Sequence, residues 1–110
     1  MSVYLKRSWR KAGKLVPEDA RGLRSRAVRL GRDGVMDWHS TNHKEELIVA
    51  LEGAVRVEIQ PEGGMRPRRV LLKAGQSLFL PVKTPHRVVN IGKAASLYLY
   101  ATAVATMNQA

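Results

Sequence analysis

GVMDWHSTNHKEELIVALEG, residues 34–53, holds two of the chain's three histidines, His39 and His43. Glu46 stands seven residues after His39 and opens an apolar run, Leu47 to Leu51, that stops at Gly53. In an extended chain, side chains alternate between two faces. Glu46, Ile48 and Ala50 then share one face, and Glu45, of opposite parity, faces solvent. A second stretch, GQSLFLPVKTPHRVVN, residues 75–90, carries the third histidine, His86, with Val88 and Asn90 at the same parity. Two imidazoles and a carboxylate are enough to hold a divalent metal with coordination positions left open.

Outward from these stretches the chain reads as short β-prone runs between turn signals. Residues 23–30, LRSRAVRL, predict a strand with its basic residues toward solvent, and the turn GRDG follows. Val35–Trp38 and Glu46–Leu51 come next. In Ala54–Gln60, Val55, Val57 and Ile59 alternate with Arg56, Glu58 and Gln60, the period of a half-buried strand. Pro61-Glu62-Gly63-Gly64 predicts a hairpin loop, with Arg69–Leu72 returning from it. Ser77–Leu80, His86–Asn90 and Ser96–Ala103 complete the set, and MNQA reads as a frayed end. On the last strand Tyr98 and Tyr100 share a face. Before residue 23 the only structural hint is Val16-Pro17-Glu18-Asp19, which could open a short helical turn. About eight strands and little helix predict a β-sandwich or barrel.

The 110 residues suit one domain. Hydrophobic content of 45% suits a globular core. No apolar run approaches bilayer length, and the N-terminus lacks the apolar core of a secretory leader. The chain has no cysteine, which removes disulfides, thiolate nucleophiles and cysteine-ligated metals. A soluble, cytoplasmic protein is the expectation. The net charge of +10 is uneven: residues 1–32 hold ten basic residues against two acidic ones. Such an arm attracts nucleic acid or an acidic partner, but no basic–aromatic interleaving is present to stack bases. No phosphate loop, dinucleotide fingerprint or nucleophile elbow occurs.

Taken together, the two histidine-bearing stretches resemble the paired motifs of a small single-domain cupin. The second motif, G-x5-P-x-G-x2-H-x3-N, matches from Gly75 through Pro81 and His86 to Asn90 and departs at Lys83, where the family has Gly. The first, G-x5-H-x-H-x3-4-E-x6-G, matches at His39, Glu46 and Gly53. It departs at Thr41, which occupies the second histidine position, and at Gly34, one residue too close to His39. The resemblance implies an all-β fold, a double-stranded β-helix or jelly-roll barrel (residues 23–110), preceded by a short irregular basic arm (residues 1–22) that packs on it.

It also implies a metal near one mouth of the barrel, with His39, Glu46 and His86 as ligands and His43 as a possible extra one. Fe, Mn, Ni or Zn would suit such a set. A metal-free polar pocket remains the alternative, because Thr41 offers only a hydroxyl. Thr41, Ile48, Val88, Asn90, Tyr98 and Tyr100 are the expected pocket residues; Lys83 and Arg87 read as solvated loop charges first, and as a rim that attracts an anionic ligand second. Three functions stay open: a binding domain for a small, anionic molecule; a metal-dependent enzyme of dioxygenase, isomerase or decarboxylase type; and a basic interaction module for nucleic acid or an acidic partner. Both faces of Leu47–Leu51 are apolar, which predicts a homodimer. Trp9 in the polar arm predicts burial against the barrel or a partner.

Overall fold

The computed structural model describes residues 5–64 and 66–105; the MNQA end lies outside them. Nine strands are present among the described residues: β1 (Gly13–Lys14), β2 (Leu23–Leu30), β3 (Val35–Ser40), β4 (Lys44–Glu52), β5 (Ala54–Ile59), β6 (Arg68–Lys73), β7 (Ser77–Leu80), β8 (Pro85–Asn90) and β9 (Ser96–Val104). No α-helix occurs among these residues; a short 3-10 turn, Glu62–Gly64, joins β5 to β6. Val16–Asp19 does not open a helix. A turn closed by the Ala20 N–H donating to the Pro17 carbonyl takes its place.

The strands form two sheets, β1-β2-β9-β4-β7 and β3-β8-β5-β6, and every pairing is antiparallel. This is the jelly-roll arrangement. Its interior follows from the period of two. Val28, Tyr98 and Ala50 are direct neighbours across β2, β9 and β4, and all three are buried. From the facing sheet come Val55, Val57 and Val88, also buried. Each fully buried aliphatic side chain contributes roughly 1.5–3 kcal/mol relative to exposure, so this layer holds the sheets together.

One end of the barrel is closed by hydrogen bonds. The Asn90 amide nitrogen donates to the carbonyls of Leu30, Gly31 and Ala94 at 2.8–3.1 Å. Its oxygen accepts from the Gly92 N–H at 2.8 Å and the Ser96 hydroxyl at 2.7 Å. Asn90 thereby ties the β2–β3 turn to the β8–β9 turn. Gly53 abuts the same network: its φ is +74°, and an added Cβ would lie 2.3 Å from Ser96 Oγ. Close approach, as much as the turn itself, requires glycine there.

Two of the three basic residues of β2 depart from the sequence expectation, and Arg29 is exposed. Arg24 and Arg26 share their face with Val28 and Leu30, so at the open end they project into the barrel rather than to solvent. The other face of β2 carries Leu23, Ser25, Ala27 and Arg29. Trp9 is half-buried, with the Arg10 guanidinium 4.6 Å from its ring centroid.

Candidate metal centre

Three of the expected ligands converge at the open end. Glu46 is on β4, in the five-stranded sheet, paired with Leu80 and Thr102. His39 and His86 face each other in register on β3 and β8, in the four-stranded sheet, with ring centroids 4.3 Å apart. One donor atom from each of the three lies within 4.8 Å of the others. His39 does not sit at the end of a strand that stops at Trp38; β3 continues through Ser40. A register shift between Met36 and His39 inserts one extra residue against β8. Without that bulge, Met36 and His39 would face opposite sides. With it, both line the interior.

Two turns brace the histidines. Thr41 donates from its hydroxyl to the Pro81 carbonyl at 2.7 Å and accepts from the Thr84 N–H at 3.0 Å. The Lys83 N–H donates to the Asn42 carbonyl at 2.7 Å. The β3–β4 and β7–β8 turns are thus joined beside the site. Lys83, at the position where a glycine was expected, adopts φ of +56°, a left-handed backbone that glycine takes without steric cost.

The hydrogen bonds also set the tautomers. His86 Nδ1 lies 2.9 Å from the Thr84 carbonyl, and His39 Nδ1 lies 2.8 Å from the Asp37 carbonyl. A carbonyl only accepts, so each Nδ1 carries the proton. In the neutral rings both Nε2 atoms then keep lone pairs, the second-sphere arrangement common behind metal-bound histidines. His86 is fully buried, and its Nε2 has no hydrogen-bond partner among the described residues. Glu46 Oε2 stands 3.4 Å from that nitrogen but is not aligned to accept from it. Burial pulls the His86 pKa down. The Glu46 carboxylate and the Thr84 carbonyl outweigh that, and the net shift is upward. Two groups poised to share a cation therefore face each other in a place where an unpaired polar atom is costly. A proton satisfies the pair alone; a divalent ion would satisfy the pair and His39 together. The donor set, two imidazole nitrogens and one carboxylate, fits Fe, Mn, Ni or Zn.

The site opens into a cavity of about 780 Å³. Of the residues named from the sequence as pocket residues, Thr41, Val88, Tyr98 and Tyr100 line it, and Ile48 and Asn90 do not. Ile48 is fully buried in the core, and Asn90 holds the closed end. The Tyr98 hydroxyl is pushed to a higher pKa by burial and then by Glu46. His43 is exposed at the cavity rim and is not part of the His39, Glu46 and His86 cluster. Lys83 and Arg87 are not in the lining. Arg87 is on the outer face of the four-stranded sheet, bound to Glu58 and 5.2 Å from the Trp38 ring centroid.

The basic residues that do line the cavity are Lys14, Arg24, Arg26 and Lys44. Sequence reasoning singled out none of the four: it directed the basic residues of β2 to solvent and gave Lys14 and Lys44 no place at the site. The available signal was parity: Arg24 and Arg26 have the same parity as Val28 and Leu30. The arm is a wall of the cavity through Lys14, Val16, Pro17 and Glu18, held by β1 pairing with β2 and by Leu15 N–H donating to the Ser25 carbonyl at 2.9 Å.

Solved structures share this architecture. The cupin domain of Schizosaccharomyces pombe Cnp3 aligns with a TM-score of 0.72 at 17% identity, over 86% of this chain and 64% of that one. An oxalate oxidase aligns with a TM-score of 0.69 at 19% identity, over 76% and 42%. Drosophila melanogaster CENP-C, solved bound to CAL1, aligns with a TM-score of 0.67 at 13% identity, over 78% and 64%. The chain spans less than two thirds of the length of each. No curated protein matches it in sequence. Among the described residues no helix is long and apolar enough to cross a membrane. A family model described as the cupin domain matches residues 28–102, which takes in β3 to β8 and the clustered side chains of His39, Glu46 and His86: the chain belongs to the cupin domain family.

Proposed function

We propose that this chain binds a divalent transition metal through His39, Glu46 and His86 and receives a small anionic molecule in the cavity beside it. The observation that carries this reading is the fully buried, unpartnered His86 Nε2, facing a buried carboxylate with a second imidazole in reach. The donor set leaves positions open to a ligand, and four basic side chains line the way in. A bound ion would supply Lewis-acid polarisation of an oxygen-bearing ligand. The protein's own part is to fix both imidazole tautomers, to brace the two turns through Thr41 and to hold the anion by charge. Elemental analysis of untagged protein, with calorimetric titration of Mn2+ and Zn2+, tests it. About one ion per chain is expected. Protein that takes up no divalent ion would instead have the metal-free polar pocket.

A metal-dependent enzyme acting on a small anionic substrate is the second reading. The similarity in fold to an oxalate oxidase supports it, because that protein's name gives it a carboxylate substrate. Turnover of a carboxylate by metal-loaded protein, lost in His39→Ala, would separate it from simple binding.

We also propose that two copies pair through the outer face of the five-stranded sheet. Leu47, Phe79 and Ala101 form a row across β4, β7 and β9, and Leu23, Leu47 and Phe79 are each more than 40% exposed. A contiguous apolar face of this kind marks an interface.

A further inference from the structure

Arg26 is half-buried in the cavity wall, on the interior face of β2. The register sets it directly across from Tyr100, with Ile48 next on β4. One row nearer the mouth run Arg24, Thr102 and Glu46. Among the described residues the Arg26 guanidinium has no hydrogen-bond or ion-pair partner, unlike two of the other cations of the wall. Lys14 pairs with Glu18, and Arg24 donates to the carbonyls of Ala20 and Leu23. Glu18 feels the charge of Arg26 but is hydrogen-bonded to Lys14. Lys44 is on the strand of Glu46, at the rim beside the ligands. A guanidinium drawn partly out of water with its donors unfilled is a receptor for a carboxylate, whose two oxygens match its fork.

We infer that the cavity selects short organic acids bearing two carboxylates, one directed to the ion at His39, Glu46 and His86 and the other to Arg26. This rests on the metal-dependent binding proposed above. Charge favours an anion with more than one carboxylate: a divalent ion less the Glu46 carboxylate leaves one positive charge, Arg26 adds a second, and Arg24 and Lys44 outnumber Asp37 in the rest of the lining. Spacing supports it as well. Two strand spacings and one row separate Arg26 from Glu46, roughly 12 Å between Cβ atoms in a flat sheet. The extended arginine side chain covers about half of that, leaving room for a few carbon atoms. A single guanidinium also suits a singly charged carboxylate better than a phosphate dianion.

The test compares succinate with butyrate, which has the same carbon chain and one carboxylate fewer, by calorimetry on protein with and without Mn2+. Succinate should bind roughly tenfold tighter or more, the scale of one charge-assisted hydrogen-bonded pair. Arg26→Gln should erase that preference while leaving Mn2+ uptake unchanged. Lys83→Gln, which removes equal charge outside the cavity, should keep the preference. A succinate preference that survives Arg26→Gln, or none in the parent protein, overturns the inference while the metal reading stands on its own titration. If no ion is taken up but succinate binding still depends on Arg26, the metal reading fails and the Arg26 carboxylate site remains.

Discussion

Glu46 and His86 reach each other from opposite sheets, with carboxylate oxygen and imidazole nitrogen 3.4 Å apart. His39, exposed at the mouth, completes the set and gives the cleanest test of it. His39→Ala should weaken Mn2+ or Zn2+ binding beyond the roughly 10–100-fold typical of losing a second-sphere partner. It should change stability in urea by less than about 0.5 kcal/mol, as an exposed residue does. His86→Ala should lose the metal as well, but at a stability cost of about 2 kcal/mol, because its ring fills space in a fully buried position. His43→Ala should leave uptake unchanged. Calorimetry and urea melts check all three, and undiminished uptake in His39→Ala would remove His39 from the site.

On the outer face of the four-stranded sheet, Glu58 lies under Arg56 and Arg87 at 2.8 and 2.7 Å, with Arg69 at 3.9 Å. The hydrogen bond from Arg87 leads in holding its pKa below the ordinary 4.5; burial opposes this and Arg56 adds to it. A carboxylate with a depressed folded-state pKa stabilises the fold above its unfolded value, and that stability disappears as pH falls through the folded value. Urea midpoints should therefore drop below about pH 4.5. Glu58→Gln should flatten that acid limb, and added salt should shrink the effect because the arginines are partly exposed. An acid limb identical in Glu58→Gln would assign the drop to other carboxylates.

Asn90→Ala should destabilise the barrel by roughly 2–4 kcal/mol, since it strands several turn carbonyls and an N–H near the closed end. Metal uptake should survive in the folded fraction, because the ligands are at the other end. Loss of metal without loss of stability would show that Asn90 serves the site instead.

Light scattering at micromolar concentration should give a dimer, and Phe79→Lys should give a folded monomer. Phe79 is 55% exposed, so the change removes no core packing. A dimer that withstands Phe79→Lys would place the interface elsewhere.

Strand positions were legible because hydrophobic alternation and turn residues act locally: Ser77–Leu80 is bounded as expected, and β4, β5, β8 and β9 differ by a residue or two at their ends. Glu46, Ile48 and Ala50 were assigned to the interior by the same alternation, and all are buried. The β3 bulge was not legible, although Gly34 sits at an unexpected interval from His39. A bulge is a property of two paired strands, and one strand's sequence does not state its partner's register. The placement of Arg24 and Arg26 failed for a different reason. Charge was taken as a sign of solvent, but an inward position at a barrel mouth keeps water and a ligand in reach. Glu58 has solvent-side parity and is buried all the same, because Arg56 of its own strand and Arg87 and Arg69 of the neighbouring strands lie over it, a fact of packing that no single-strand period encodes.

The three clustered side chains are divided between the sheets, Glu46 on one and His39 and His86 on the other. An ion held by all three would act as a latch on the barrel's breathing. Separating the sheets at the mouth would then require giving up a ligand, so local opening would become dependent on free metal concentration. Amide hydrogen exchange along β3 and β8 should slow on metal addition, while exchange near Asn90 should hardly change. Equal slowing at both ends would mean that the ion stabilises the whole fold at once.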